Sequence, residues 1–258
     1  MRPVLSCCAV AFALLTMQVS NAIAQDGIAN EIAPHGTLRG AVIGIKVLGG
    51  IGEPIGRFIA AKLGATFEPV VYANPQAYEA SFGKSEWDIA LGPRVLAPAD
   101  KADITPDVWL IELLYLEGAG HDFAGTADID HAGVKVGTIQ DSPSDRILTR
   151  TLKSAELVRL PLSPNFPADA IELLRSGKAD VFGADSGLIA AISGGYPEAK
   201  VLPGSFSIVR AAIALPKGRS SAAQARLLEL VNEAKKTGVV QKAFEQAGLK
   251  SGVRVAPE

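Results

Sequence analysis

Cysteine is almost absent: the 258 residues contain two, Cys7 and Cys8, both among the first ten positions. Beyond them no disulfide, thiol nucleophile or cysteine-based metal site can form. An excess of one charge is also missing, with 25 basic against 27 acidic residues and a formal net charge of −2. So even a balance excludes a nucleic-acid binder working through bulk charge, and no basic stripe occurs. There is no short repeat, which excludes collagen-like and low-complexity structure. After the N-terminal segment no run is long and apolar enough to cross a bilayer. Histidine is scarce: His35, His121 and His131, with Asp122, Asp128 and Asp130 nearby, match no standard metal-ligand spacing.

What the chain does have is 48% hydrophobic residues, enough for one large domain or two lobes with separate cores. Met1 to Ala24 reads as a secretory signal. Arg2 supplies the positive start, an apolar run follows, and Ala22-Ile23-Ala24 is a small-x-small cleavage site before Gln25. Cys7 lies too early for a lipoprotein anchor. The expected location is therefore the periplasm, reached by export.

Along the rest of the chain the hydrophobic pattern alternates between the two periods. Residues 38–48 predict a strand, followed by a glycine-rich turn and a helix opened by Pro54 and running to Leu63. Further strands are predicted at 67–72, from Asp88, at 134–139, 157–162, 179–185 and 208–215, with an extended crossing at 108–117. Helices are predicted at 75–84, 144–153, 167–175, 187–193, 220–236 and 239–247. Strands alternating with helices of about ten residues predict parallel α/β sheets. There is one internal echo: Gly83-Lys84 before Asp88-Ile89 recurs as Gly177-Lys178 before Asp180-Val181. It hints at two similarly built halves, although any α/β chain repeats helix, glycine and strand.

Several short motifs carry possible chemistry. Gly50-Ile51-Gly52 with Gly56, followed by Glu68, resembles a dinucleotide loop, but the third glycine is one position late and a tight turn lining a cleft fits better. Ser142-Pro143-Ser144-Asp145 is a helix start that either caps itself or also holds an anionic group on its N–H groups and hydroxyls. Gly183 to Gly187 could be taken for a serine-nucleophile turn, though such serines are mostly caps. Asp185 ends a strand where a helix begins; it is either a cap or a receiver for a ligand ammonium. Arg94, at the end of the Asp88 strand, suits a carboxylate or is a solvated loop residue.

Taken together, the segments GTLRGAVIG, AAKLG, EWDIA, GVKVGTIQDSPSD and LLRSGKADVFGAD resemble the type II periplasmic solute-binding proteins, and within them the family serving polar amino-acid ABC importers. The resemblance spans roughly 38–248. It implies a two-lobe α/β fold, each lobe a mostly parallel sheet flanked by helices, joined by two crossing hinge strands. Lobe one would comprise 25–117 and 205–258, and lobe two 118–204. It further implies Asp185 as the grip on a ligand ammonium, Ser142 in the turn that binds the ligand carboxylate, and Ile139 on the same wall; the Ser144 hydroxyl is a candidate from the helix-start motif alone. Gly92 to Val95 corresponds to the ligand-touching stretch of lobe one. The family's Ser/Thr-x-x-Arg clamp is missing from Leu96 to Ala99, and Arg94 is the candidate replacement. Tyr72 or Asn74 would line the side-chain end. The expected function is that of a monomeric receptor for a small polar solute, amino-acid-like or organic-acid, delivering it to an ABC permease without a cofactor or metal. Alternatives are a prephenate- or arogenate-type dehydratase, with Glu117 or Asp141 as acid or base, and a solute-sensing accessory module.

Overall fold

The computed structural model describes residues 25–44, 46–163 and 165–257. The proposed signal segment, 1–24, lies outside the described residues.

After a helix over 25–32 (α1), the first lobe is built from β1 (Thr37–Ile43), α2 (Lys46–Lys62), β2 (Thr66–Tyr72), α3 (Pro75–Ala80) and β3 (Ile89–Pro93). A short β4 (Ala102–Ile104) precedes the crossing strand β5 (Trp109–Glu117). The second lobe repeats the scheme with β6 (Lys135–Ile139), α4 (Pro143–Thr151), β7 (Glu156–Leu160), α5 (Phe166–Arg175) and β8 (Val181–Asp185). α6 (Ser186–Gly195) and β9 (Lys200–Val201) follow. β10 (Ser207–Pro216) then returns to the first lobe, completed by α7 (Ser221–Lys236), α8 (Val239–Gln246) and β11 (Val253–Val255).

The strand order is β2-β1-β3-β10-β5-β8-β6-β7. β1 runs parallel to β2 and β3, and β6 parallel to β7 and β8, so each lobe has a three-stranded parallel set in the same order. β5 and β10 join the two sets. β10 is antiparallel to β3 and β5, and β5 is antiparallel to β8. Along β5 the core changes hands. Trp109, Ile111 and Leu113 pack with β1, α2, α7 and α8, while Tyr115 and Leu116 pack among second-lobe residues.

The Gly-Lys…Asp echo has a structural counterpart. Asp88 N–H donates to the Arg39 carbonyl (2.9 Å) while its carboxylate accepts Arg39 N–H (2.9 Å). Asp180 N–H donates to the Lys135 carbonyl (2.8 Å) and its carboxylate accepts Lys135 N–H (2.8 Å). Each aspartate thus pins the start of its lobe's central strand, one extra bond beyond the ladder. Gly83 and Gly177, in left-handed conformation (φ +86° and +66°), lie just past the preceding helices, where a side chain would be strained.

One expectation needs correction. The first strand ends at Ile43, not near residue 48, and the glycine-rich segment is no turn: Gly50, Gly52, Pro54 and Gly56 all lie inside α2. Tertiary packing overrides the poor helix propensity of glycine here. A Cβ on Gly56 would sit 2.2 Å from the Phe67 ring, one on Gly40 2.3 Å from the same ring, and one on Gly52 3.1 Å from Leu91 Cβ. The glycines let α2 lie close on the sheet with Phe67 seated between helix and strand. A helical backbone cannot cradle a pyrophosphate as the loop motif would, so the dinucleotide reading falls.

Gly56→Ala should therefore destabilise the protein by about 1–2 kcal/mol in urea unfolding, overpacking outweighing the roughly 1 kcal/mol helix-propensity gain. In a Phe67→Ala background the same change should become neutral or stabilising. Equal cost in both backgrounds would show that the ring is not the reason for the glycine.

Candidate functional site

The carboxyl ends of β3, β6 and β8 converge on the junction between the lobes, the usual ligand position in open α/β sheets. There they enclose a narrow cavity with about 20 Å³ of free space, room for about one water. The first lobe contributes Pro75, at the start of α3, and Pro93. The crossing strands add Ile111, Leu113 and Val209. The second lobe supplies Ile139, Ser142, Pro143, Ser144, Asp185 and Leu188. The walls are thus mainly apolar, and among the described residues Asp185 is the one ionisable group lining them.

Asp185 is 7% exposed. It caps α6, its Oδ1 accepting Gly187 N–H (3.1 Å) and Leu188 N–H (3.0 Å). Among the described residues no basic side chain pairs with it. Burial pushes its carboxyl up to about 6, against the opposing pull of those backbone bonds.

The serines are arranged by donor arithmetic. Thr138 Oγ1 lies 2.9 Å from the Gly183 carbonyl, which can only accept, so the threonine proton goes there. Thr138 Oγ1 then accepts the Ser144 proton (3.0 Å), and Ser144 Oγ accepts the Ser142 proton (2.8 Å). Ser142 Oγ accepts Asp145 N–H (3.1 Å) as the cap of α4. All three hydroxyl protons are committed inside the second lobe, so the two serines turn only lone pairs to the cavity. Pro143 has no N–H, and in the first turn of α4 the Ser144 N–H is left without a protein acceptor among the described residues.

The structure brings together Ile139, Ser142, Ser144 and Asp185, and keeps Tyr72, Asn74, Gly92 and Arg94 out of the lining. Arg94 Nε donates to Asp107 Oδ1 (2.9 Å) and its Nη2 to the Thr105 carbonyl, so the guanidinium is absorbed within the first lobe. Tyr72 hydroxyl donates to Glu86 (2.7 Å), and Asn74 caps α3 by accepting Ala77 N–H (2.8 Å). Gly92 makes space for another side chain: a Cβ there would lie 2.9 Å from the Tyr78 hydroxyl oxygen. Ser186 is no nucleophile. Its hydroxyl donates to the Gly252 carbonyl (3.1 Å), and no histidine is bonded to it. Among the described residues no three His, Cys, Asp or Glu side chains form a metal-holding group.

Two side-chain pairs tie α3 of the first lobe to the start of α4 in the second. Gln76 amide donates to Asp141, and Arg146 pairs through both Nη atoms with Glu79. Asp141 has φ +58°, which turns the chain into the Ser142 cap. These bridges hold the lobes together around the narrow cavity.

Pro93 lies in the stretch Gly92 to Val95 that the resemblance implied, whereas sequence reasoning missed Pro75, Leu188 and the crossing-strand residues. The extended crossing at 108–117 was visible, but which residues face the cavity depends on strand pairing.

No protein-family model matches the chain, and no curated protein matches it by sequence. Solved structures do resemble it. An ancestral amino acid-binding protein, described as a precursor of cyclohexadienyl dehydratase, superposes with TM-score 0.66 at 19% identity, covering 84% of this chain and 97% of that one. A mutant of ArgBP from T. maritima gives TM-score 0.65 at 17% identity, covering 86% and 99%. An amino acid ABC transporter substrate-binding protein from Streptococcus pneumoniae, bound to L-arginine, gives 0.63 at 17% identity, covering 82% and 94%. The chain has the two-lobe fold of the type II periplasmic binding proteins. In this binding-protein fold the cavity lies between the lobes, and no helix among the described residues is long and apolar enough to cross a membrane.

The raised Asp185 carboxyl has a stability consequence. Its proton is held more tightly in the folded chain (about 6) than at the ordinary value of 3.8. The folded form therefore binds more protons between those values, and stability falls as pH rises through them, by roughly 3 kcal/mol in all. Asp185→Asn keeps a capping oxygen and abolishes the charge. The variant should match the parent near pH 3.5 and melt above it at pH 7.5. A variant less stable than the parent at pH 7.5 would contradict the burial penalty.

Proposed function

We propose that this protein is the periplasmic solute-binding component of an ABC importer, closing its lobes on a small solute with a positively charged polar end. The observation that carries the reading is the position of Asp185: a buried carboxylate without a cation partner among the described residues, at the junction of two lobes. A buried charge without a partner is costly, and a cationic ligand group relieves that cost. Ile139, Ser142 and Ser144 complete the second-lobe wall of this site, and Pro75 and Pro93 face it from the first lobe. We assign 25–117 and 205–258 to the first lobe and 118–204 to the second, with β5 and β10 as the hinge. Ligand binding shifts the balance of open and closed lobes, and the closed form is what an inner-membrane permease would engage. Export through the segment 1–24 belongs to the same proposal.

Binding fits the site better than chemistry does. The acid and base candidates, Glu117 and Asp141, do not line the cavity. Glu117 accepts Phe123 N–H (2.7 Å) at the far end of β5, and Asp141 is engaged by Gln76.

Residues 25–258 contain no cysteine, so one label per lobe can be placed without background. With labels at Lys84 and Lys153, electron–electron resonance should show a longer-distance population in Arg146→Ala. The loss of a half-exposed ion pair is worth at most about 1 kcal/mol, a roughly five-fold change in the open-to-closed ratio. A solute that raises the melting temperature should remove that population, and Ile139→Trp, which fills the cavity, should abolish both responses. A solute response that survives Ile139→Trp, or a solute library in which nothing acts, would refute a receptor working through this cleft.

A further inference from the structure

We infer that the cleft selects a small monoamine with an apolar body and no carboxylate, so that the parent amino acids are poor ligands. The inference rests on the receptor reading above and narrows it to a ligand class.

Four observations converge. Among the described residues the one ionisable group lining the cavity is anionic, and its Oδ2 accepts no hydrogen bond from another residue, while Oδ1 holds two backbone N–H groups. The hydroxyls beside it are acceptors: the Ser142, Ser144 and Thr138 protons run in sequence to the Gly183 carbonyl, so Ser142 and Ser144 can receive N–H bonds but give none without breaking the relay. An ammonium, with donors only, matches one carboxylate oxygen and two hydroxyl lone pairs. A carboxylate, with acceptors only, would face those same lone pairs.

The guanidiniums of Arg94, Arg146 and Arg210, the last bound to Asp107, are engaged elsewhere. Arg94 is bound to Asp107 and the Thr105 carbonyl, and Arg146 to Glu79. One backbone N–H, that of Ser144, is the donor left in the first turn of α4, and a single such group does not offset the burial of a carboxylate. The remaining walls, such as Pro75, Pro93, Ile111 and Leu188, are hydrocarbon, which suits an alkyl or aryl body. A diamine would bury its second charge against that hydrocarbon. With about 20 Å³ free, the lobes must part to admit any such ligand and reclose on it.

Decarboxylation pairs isolate the carboxylate. Calorimetry on residues 25–258 would compare isopentylamine with leucine and phenethylamine with phenylalanine, with cadaverine against pentylamine for the second charge. Each amine should bind at least ten-fold more tightly than its parent amino acid, and pentylamine more tightly than cadaverine. Asp185→Asn, checked for folding by circular dichroism, should weaken amine binding at least a hundred-fold. Ser144→Ala interrupts the relay and returns the Ser142 proton as a donor, so the amine-to-amino-acid ratio should fall at least three-fold. Parent amino acids binding as well as their amines would overturn the inference and leave the receptor standing. The same holds if neither series binds while another solute does. Silence of a full solute library would bring down the receptor reading as well.

Discussion

A carboxylate buried between two lobes, held by the Gly187 and Leu188 N–H groups and paired with no cation among the described residues, organises this molecule. Asp185 ends β8, begins α6 and lies in register with Leu113 of the crossing strand β5. One residue therefore belongs to the second-lobe sheet, to a helix cap and to the cavity wall. The cap neutralises the free donors of α6, and burial leaves the negative charge short of compensation. A proton or another cation can supply it, while burial at the lobe junction deepens the need, which ties acidity and conformation to a single group.

Around that charge the two lobes repeat one construction. Asp88 and Asp180 pin β1 and β6 by the same pair of backbone bonds, and the parallel strands follow the same order in both lobes. The lobes then diverge where they meet. The first presents prolines, with its arginine spent on Asp107, and the second presents a cap carboxylate and hydroxyls whose protons point inward. This asymmetry, not the shared scaffold, determines what the cavity can hold. The Glu79–Arg146 and Gln76–Asp141 bridges add a protein-made closure, modest in energy because the ion pair remains half-exposed.

Much of the architecture could be read from periodicity. The crossing strand at 109–117, the parallel strands and helices of both lobes, and the terminal pair of helices stand close to where the pattern of apolar residues puts them. The failures are local. The glycines of α2 look like a turn because glycine is a poor helix former, yet a distant ring, Phe67, is what demands them. Arg94 looks available because its partner, Asp107, stands thirteen positions on, beyond any local rule, and reaches it only once the chain has doubled back.

For the site, sequence by itself determined the residue types at the strand ends and helix starts, because capping chemistry is local. Ser142 before Pro143 and Asp185 before Ser186 announce helix starts wherever they occur. Tertiary structure alone decided which of these face the same space and which way their protons point. The Gly183 carbonyl orders the Thr138–Ser144–Ser142 relay from forty-five residues away, and β5 and β10 bring Pro93 opposite Asp185. Hydrogen-bond direction and charge pairing depend on distances between segments remote in the chain, and those distances exist only after the lobes have folded.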